Sequence, residues 1–362
     1  MTLQKEILGG KFKDGKLPSD RMLMRRFSVA RETVRVAVND LIKRRLVARQ
    51  QGRGTFITRT AMLRKIGLIM PGVATSEFFQ PIFATLTRLA RGNDYELIFG
   101  EHFSSDRLRQ RHEMRELAAL LVRNRVAGVI FQPLDVATGD DESNQEILSL
   151  LDAKRIPVVL LDRDVVLPPE RTLHDLVSIN NEDAAERLVR HLVQSGARRI
   201  CFLTNSWQVP NVARRLRGFL CAREMLGKRV RLDVLRGSPK DEALIGRWMR
   251  KRVRPDGIIC DSDTTAAIVR QTLDRLGYAV PEDIMLAGFD DVRIAALMTP
   301  PLTTIHQPCE KIAEEVFRRL IARLGNPARP PTETFLYAPL VTRMSTDRNT
   351  FCENSKRKAK SK

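Results

Sequence analysis

RQQGRGTFI (residues 49–57) sets two glycines either side of an arginine, between a polar run and the β-type triplet Thr55-Phe56-Ile57. Glycine reaches the positive φ that tight turns need, so the stretch reads as strand, turn and strand. Many surface hairpins are reversed this way, so what this one carries depends on the residues before it. LPSDRMLMRRFSV (17–29) reads as a helix, with Pro18 in the entry turn, Ser19 as N-cap and Met22, Leu23 and Phe27 at near-helical spacing. After Ser28-Val29-Ala30 a second helix begins. Val34, Ala37, Val38, Leu41 and Ile42 form its apolar stripe, and Arg31, Arg35, Asn39 and Lys43 lie opposite. Two short helices joined by a tight turn make a helix-turn-helix, and Leu46 to Ile57 adds the hairpin of a wing. Arg31, Thr33 and Arg35 stand in the first turns of the second helix, where a recognition helix meets base edges and phosphates. The Gly52-Arg53-Gly54 tip would bring a guanidinium to narrow, electronegative DNA without Cβ clashes. An ordinary solvated cationic face is the competing reading of the same stripe.

Charge favours the nucleic-acid reading. Residues 1–60 hold 15 Lys/Arg against 5 Asp/Glu, and the last seven residues, KRKAKSK, hold 5 cations and no acid. The remaining 42 cations and 38 acids nearly balance over residues 61–355. Basicity confined to a small N-terminal unit and a tail points to a polyanion. Nucleic acid comes ahead of membrane, because no basic amphipathic helix with aromatic anchors is present. No apolar run approaches the roughly 20 residues of a membrane span and no signal peptide precedes the helices, so the cytoplasm is the expected compartment. The five cysteines (201, 221, 260, 309 and 352) lack C-x-x-C spacing, so neither disulfides nor a zinc site are expected, and no cofactor is implied.

Beyond residue 65 the chain alternates apolar β-type runs with helical periodicity. KIGLIMP, YELIFG, VAGVIFQP, IPVVLLD, RRICFLT, DGIICDSD and DIMLAGFD read as strands, and helices are expected at 80–92, 106–124, 182–195, 213–226, 264–276 and 309–324. Such alternation gives parallel sheets covered on both faces, with ligands at the carboxyl ends of the strands. Asp162, Ser262 with Asp263, and Asp290 with Asp291 end three of these strands. Each could be a helix cap; three clusters converging would exceed what capping requires. There is no G-x-G-x-x-G after a strand, no phosphate-binding P-loop, no G-x-S-x-G elbow, and no zinc-protease motif. An enzyme is therefore not expected, although paired carboxylates would also suit a sugar hydrolase.

The L-P-S-x-R opening, the R-x-T-V-R helix start and the Q-G-R-G-T-F wing occur in order over residues 3–58, and this stretch resembles the winged-helix domain of the GntR family of bacterial transcription regulators. The resemblance implies DNA contacts by Arg21, Arg31, Thr33, Arg35, Arg53 and Gly54. Ala30 and Glu32 stand where that family shows small hydroxyl residues, so the helix cap would have to come from Ser28. In such domains the first helix is longer than LQKEILGG allows. Either the natural chain is longer, or the stub is held by packing on Leu3, Ile7 and Leu8.

VSINNEDAAERLVRHLVQSGARRICFLT, GIICDSDTTAAIVRQTLDRLGYAVPEDIMLAGFDD, PPLTTIHQP and LVTRMST resemble the effector-binding core of the LacI/GalR regulators, itself similar to periplasmic sugar-binding proteins, over about residues 65–346. This implies an α/β domain of two lobes joined by three crossovers, with the effector between them. One lobe would hold about 65–163 plus 292–323 and the other 164–291 plus 324–346. Arg215, three residues before the glycine of RRLRGF, and Asp290 match positions that hydrogen-bond ligand hydroxyls, and Phe78, Phe79, Asp162, Ser262 and Gln307 match other cleft positions. Ser262 replaces the more usual asparagine.

The expected organisation is a winged helix-turn-helix at 1–59, a linker at 60–64, the two-lobed domain at 65–346 and a basic, disordered tail at 347–362. The expected function is a dimeric repressor of a carbohydrate-utilisation operon that binds double-stranded operator DNA and is released by a small sugar. A solute-binding protein without a regulatory role is the alternative. An arginine fork and carboxylates suit paired hydroxyls, and an aromatic suits an apolar ring face.

Overall fold

The computed structural model describes residues 2–348 except 9–10, 13, 45, 52, 59–62, 72, 74–75, 101–103, 105, 136–141, 206–208, 228–229 and 252–253. The first unit contains α1 (Thr2–Leu8), α2 (Asp20–Phe27), α3 (Arg31–Lys43), β1 (Val47–Gln50) and β2 (Gly54–Ile57). Ser19 caps α2, its Oγ accepting from the Met22 N–H at 3.4 Å. Ser28 does not cap α3. It takes a left-handed φ of 51° and ends α2 by donating its N–H to the Met24 carbonyl, while Ala30 begins α3 without a side-chain cap. The β1–β2 hairpin is antiparallel, and Gly15 to Leu17 adds backbone bonds to β2. Leu23, Val34 and Val38 form one small core; Ile7, Leu17, Leu41, Val47 and Ile57 form another. Leu3 packs on both, so packing holds the short α1. Ala37, placed by periodicity on the buried stripe, is exposed.

The larger part runs through β3 (Arg64–Ile69), α4 (Phe79–Gly92), β4 (Tyr95–Phe99), α5 (Arg107–Arg123), β5 (Gly128–Phe131), α6 (Ser143–Ala153), β6 (Val158–Leu161) and β7 (Asp175–Ile179). It continues with α7 (Asn181–Gln194), β8 (Arg199–Thr204), α8 (Pro210–Leu226), β9 (Arg231–Arg236), α9 (Glu242–Met249), β10 (Gly257–Cys260) and α10 (Asp263–Arg275). β11 (Met285–Asp290), α11 (Arg293–Leu297), β12 (Thr303–His306), α12 (Cys309–Gly325), β13 (Glu333–Leu336) and β14 (Leu340–Val341) complete it. Two six-stranded sheets result, ordered β13-β7-β6-β5-β3-β4 and β14-β12-β11-β10-β8-β9, parallel except for β14. β5, β6 and β10 are buried along their whole length, as continuous apolar strands between helical layers must be.

The chain crosses between lobes three times, as expected, but elsewhere than expected. The crossings follow β7, β12 and β13, near residues 180, 307 and 338 rather than 163, 291 and 323. Residues 164–179 and 324–336 therefore belong to the first lobe, and 292–306 to the second. The physical reason is that β7 follows β6 through a loop without a helix, which breaks the strand–helix alternation, while β12 and β13 are strands of only four residues. Strand β3 starts at Arg64, inside the segment assigned to the linker; residues 60–62 of that segment, and the tail beyond 348, lie outside the described residues.

Candidate functional site

On the first unit, Arg21, Arg31, Thr33, Arg35 and Arg53 are all exposed. Arg35 pairs with Glu32 at 3.1 Å, a weak i,i+3 surface contact. Arg21, Arg31 and Arg53 have no acidic partner among the described residues, so their charge is available to an external anion. Arg53 sits in the hairpin turn, its N–H donating to the Gln50 carbonyl at 3.1 Å. Gly54 has φ +114°, a conformation that calls for glycine, while a Cβ there would stand 2.9 Å from Lys16 Cε, the far end of a flexible side chain. Gly52 lies outside the described residues. Thr33 differs from its neighbours: two positions from both Arg31 and Arg35, it turns to another flank of α3, where it lines a groove with Leu3, Gln4 and Val36.

Between the two lobes lies a cleft of about 230 Å³, and all seven residues expected to hold an effector line it. Phe78 and Phe79, at the start of α4, meet edge to face with centroids 4.7 Å apart and form its apolar wall. Asp162 and Asp290, ending β6 and β11, both adopt positive φ (71° and 112°). Non-glycine residues are held that way only where the surroundings over-determine them. Gln307, at the second crossover, donates through Nε2 to Asp290 Oδ1 at 2.7 Å, and its own buried carbonyl oxygen has no protein partner.

Arg215 is fixed from all sides. Its Nε donates to Asn181 Oδ1 at 2.8 Å, Nη1 donates to the Asp261 carbonyl, Nη2 lies 3.4 Å from Asp290 Oδ1, and the guanidinium stacks 4.4 Å from the Phe289 ring centre. Every one of these partners is in the second lobe, so Arg215 is not a bridge between lobes. The direct cross-lobe bond inside the cleft is made by Asn211, in the first turn of α8, which donates to Asp162 Oδ2 at 3.1 Å. The same oxygen accepts from Arg163 Nε at 3.0 Å and Nη2 at 2.8 Å, and Asp135 pairs with the far side of Arg163. Asn211, Arg163, Asp135 and Asp261 escaped the sequence reading. Only the position of Asn211, directly after a proline at a helix start, marked any of them.

The strand-end carboxylates divide by role. Ser262 caps α10, its Oγ accepting from the Thr265 N–H at 3.1 Å, and also faces the cleft. Asp263 is neither cap nor cleft residue. It accepts from Thr304 Oγ1 at 2.6 Å and the Val292 N–H at 3.0 Å, beneath Gly288, where a Cβ would collide with it. Asp291 pairs with Arg343 at 2.6 Å and His306 at 2.9 Å. Burial pushes Asp162 up to about 7, with the charge of Asp290 adding to the effect and Arg215 and Asn211 opposing it. Burial also raises Asp290, against the pull of Arg215 and Gln307. Arg163 is lowered to about 9 by burial and by the Arg215 cation. Arg215 is engaged by protein acceptors at Nε and both Nη atoms, and Arg163 is paired with Asp162 and Asp135 while its buried Nη1 makes no hydrogen bond; carboxylate and carbonyl oxygens remain, so the cleft offers acceptors to a ligand rich in hydroxyl donors. No three His, Cys, Asp or Glu side chains among the described residues group as metal ligands.

Residues 2–57 match the bacterial regulatory proteins of the gntR family, and residues 189–346 match the periplasmic binding protein-like domain. The chain is 26% identical to the arabinose metabolism transcriptional repressor of Geobacillus stearothermophilus over 361 residues, 94% of each chain. It is also 26% identical to the HTH-type transcriptional repressor PurR of Photobacterium profundum, over 72% of this chain and 75% of that one. In fold it resembles a LacI family transcriptional regulator from Enterococcus faecalis solved with bound ribose (TM-score 0.62, 24% identity, 78% of this chain and 98% of that one). Its N-terminal segment thus matches the gntR-family model, and its larger part is similar to the periplasmic binding protein-like domain, in a fold shared with LacI-type regulators.

Proposed function

We propose that the protein is a cytoplasmic transcription repressor that binds operator DNA as a homodimer through its winged helix and lets go when a small neutral sugar fills the interlobe cleft. The observation that carries this reading is the convergence of Phe78, Phe79, Asp162, Arg215, Ser262, Asp290 and Gln307 on one cleft whose arginines are each paired with carboxylates of the protein. A sugar phosphate or acid would meet cations already paired with Asp135, Asp162 and Asp290, whereas hydroxyls find acceptors and an aromatic wall. About 230 Å³ suits a monosaccharide. Arg21, Arg31 and Arg53, exposed and without acidic partners among the described residues, favour DNA binding over a solute carrier with no regulatory role. The curated relatives are regulators of transcription, which argues against catalysis by the cleft carboxylates.

The test is a thermal-shift screen of neutral pentoses and hexoses, starting with L-arabinose and D-ribose, followed by release of upstream DNA in a mobility-shift titration. A sugar that binds only the native state raises the melting temperature by mass action. Retardation of no upstream fragment at low salt, with or without sugars, would sink the regulatory reading.

A further inference from the structure

Arg214 and Arg215 are consecutive on α8 and so point about 100° apart. Arg215 faces the cleft, and Arg214 faces the hinge. Arg214 Nη2 donates to Glu333 Oε1 at 3.0 Å, and its guanidinium lies 5.0 Å from the centre of the Phe335 ring. Glu333 and Phe335 belong to β13, which pairs with β7 in the first lobe, whereas α8 belongs to the second. The contact therefore ties one lobe to the other. Arg187 of α7 makes a companion tie, stacked 4.4 Å from Tyr337 and donating to the Ala338 carbonyl in the third crossover. Helices α7 and α8 move together, because Gly218 lets their backbones meet: a Cβ there would collide with the Glu182 carbonyl. An exposed ion pair would carry little, but the side chains of Arg214 and Glu333 are only 19% and 20% exposed, and the guanidinium plane is also fixed by the ring.

We propose that Arg214 is a positioning residue: through Glu333 and Phe335 it ties the cleft helix to the third crossover, so that a ligand held at Arg215 sets the angle between the lobes. The proposal rests on the cleft being the effector site. A displacement of α8 at Arg215 is then carried by the adjacent side chain into the first lobe, without passing through the cleft's own cross-lobe bonds.

Spin labels at Ala84→Cys on α4 and Gln271→Cys on α10, in full-length protein with Cys221→Ser and Cys352→Ser, read the interlobe distance. L-arabinose and D-ribose serve as probes. In the otherwise wild-type chain a sugar narrows and shifts the distance distribution. Arg214→Met, which keeps the apolar stem, broadens the distribution before any sugar is added and raises the sugar concentration for half-maximal shift at least threefold. Arg214→Lys, which keeps the pair with Glu333, falls between the two. Glu333→Gln matches Arg214→Met, and the double variant adds nothing further. If neither sugar shifts the parent distribution, the sugar reading fails, and the sugar-free widths still decide on Arg214. Equal widths in the parent and Arg214→Met, or effects of Arg214→Met and Glu333→Gln that simply add, would overturn the proposal.

Discussion

The two functional surfaces hold their arginines in opposite ways. On the winged helix, Arg21, Arg31 and Arg53 stand in solvent without an acidic partner among the described residues, on elements contiguous in sequence. In the cleft, Arg215 is 3% exposed and held by Asn181, Asp261 and Asp290, which come from three separate segments. An exposed cation awaiting a polyanion costs the fold nothing to keep and nothing to lose. A buried one is part of the lobe, and its removal strands the groups that hold it. Stability and function should therefore separate cleanly at the DNA face and be entangled in the cleft.

The largest expected effect tests that entanglement. Arg215→Ala leaves Asp290 and Asn181 buried without their partner and should destabilise the larger domain by on the order of 3–5 kcal/mol. Denaturant unfolding measures it; a loss under 1 kcal/mol would show that the lobe does not depend on the arginine and would erase the contrast. Arg35→Ala should instead weaken operator binding by about 1–3 kcal/mol if Arg35 reads a base, with the melting temperature unchanged. A mobility-shift titration beside a thermal melt separates the two. Equal loss on operator and random DNA would make Arg35 a phosphate contact.

Asp290→Asn is the cleaner probe of the cleft, since it keeps size and one acceptor. It should raise the sugar concentration for operator release about tenfold, or ~1.4 kcal/mol, with sugar-free operator affinity held within a factor of about two. An unchanged release curve would return Asp290 to the role of a tie for Arg215 and Gln307.

The same contrast governs what the sequence disclosed. The helix-turn-helix, its Ser19 cap and the glycine wing were legible because each depends on neighbours within a few residues. The seven cleft residues were reached through resemblance rather than spacing, and periodicity alone offered only three carboxylate-bearing strand ends. It did not sort them: Asp162 and Asp290 face the cleft, while Asp263 and Asp291 tie strands together. Lobe boundaries were misplaced because β7 and β12 stay beside the strands just before them, β6 and β11, instead of crossing over, while β13 takes its lobe from β7, far back in the chain. Asn211 was missed for a related reason, since it meets Asp162 only across the two lobes, whereas Arg163, next to Asp162 in the chain, lies in no pattern that marks it.

Acidity should move the cleft's stability and its sugar affinity in opposite directions, and by the smallest amount. Burial sets Asp162 at about 7, above its ordinary value of 3.8. A sugar hydroxyl donates to the ionised carboxylate, so protons compete with the sugar. Between pH 8 and pH 6.5 the ionised fraction of a group with that pKa falls about fourfold, and sugar affinity should fall by roughly the same factor. The empty protein behaves otherwise. Its folded state holds the proton more tightly than the unfolded chain, so the stability linked to Asp162 is greatest in acid and declines as pH rises from about 4 through about 7. Sugar-free DNA affinity at fixed salt should hardly move. Calorimetric titration of the effective sugar across this range, in the parent and in Asp162→Asn, checks the assignment. The variant should lose most of the pH dependence of sugar affinity and keep only the part set by Asp290; a dependence as steep as the parent's would place the titrating group elsewhere.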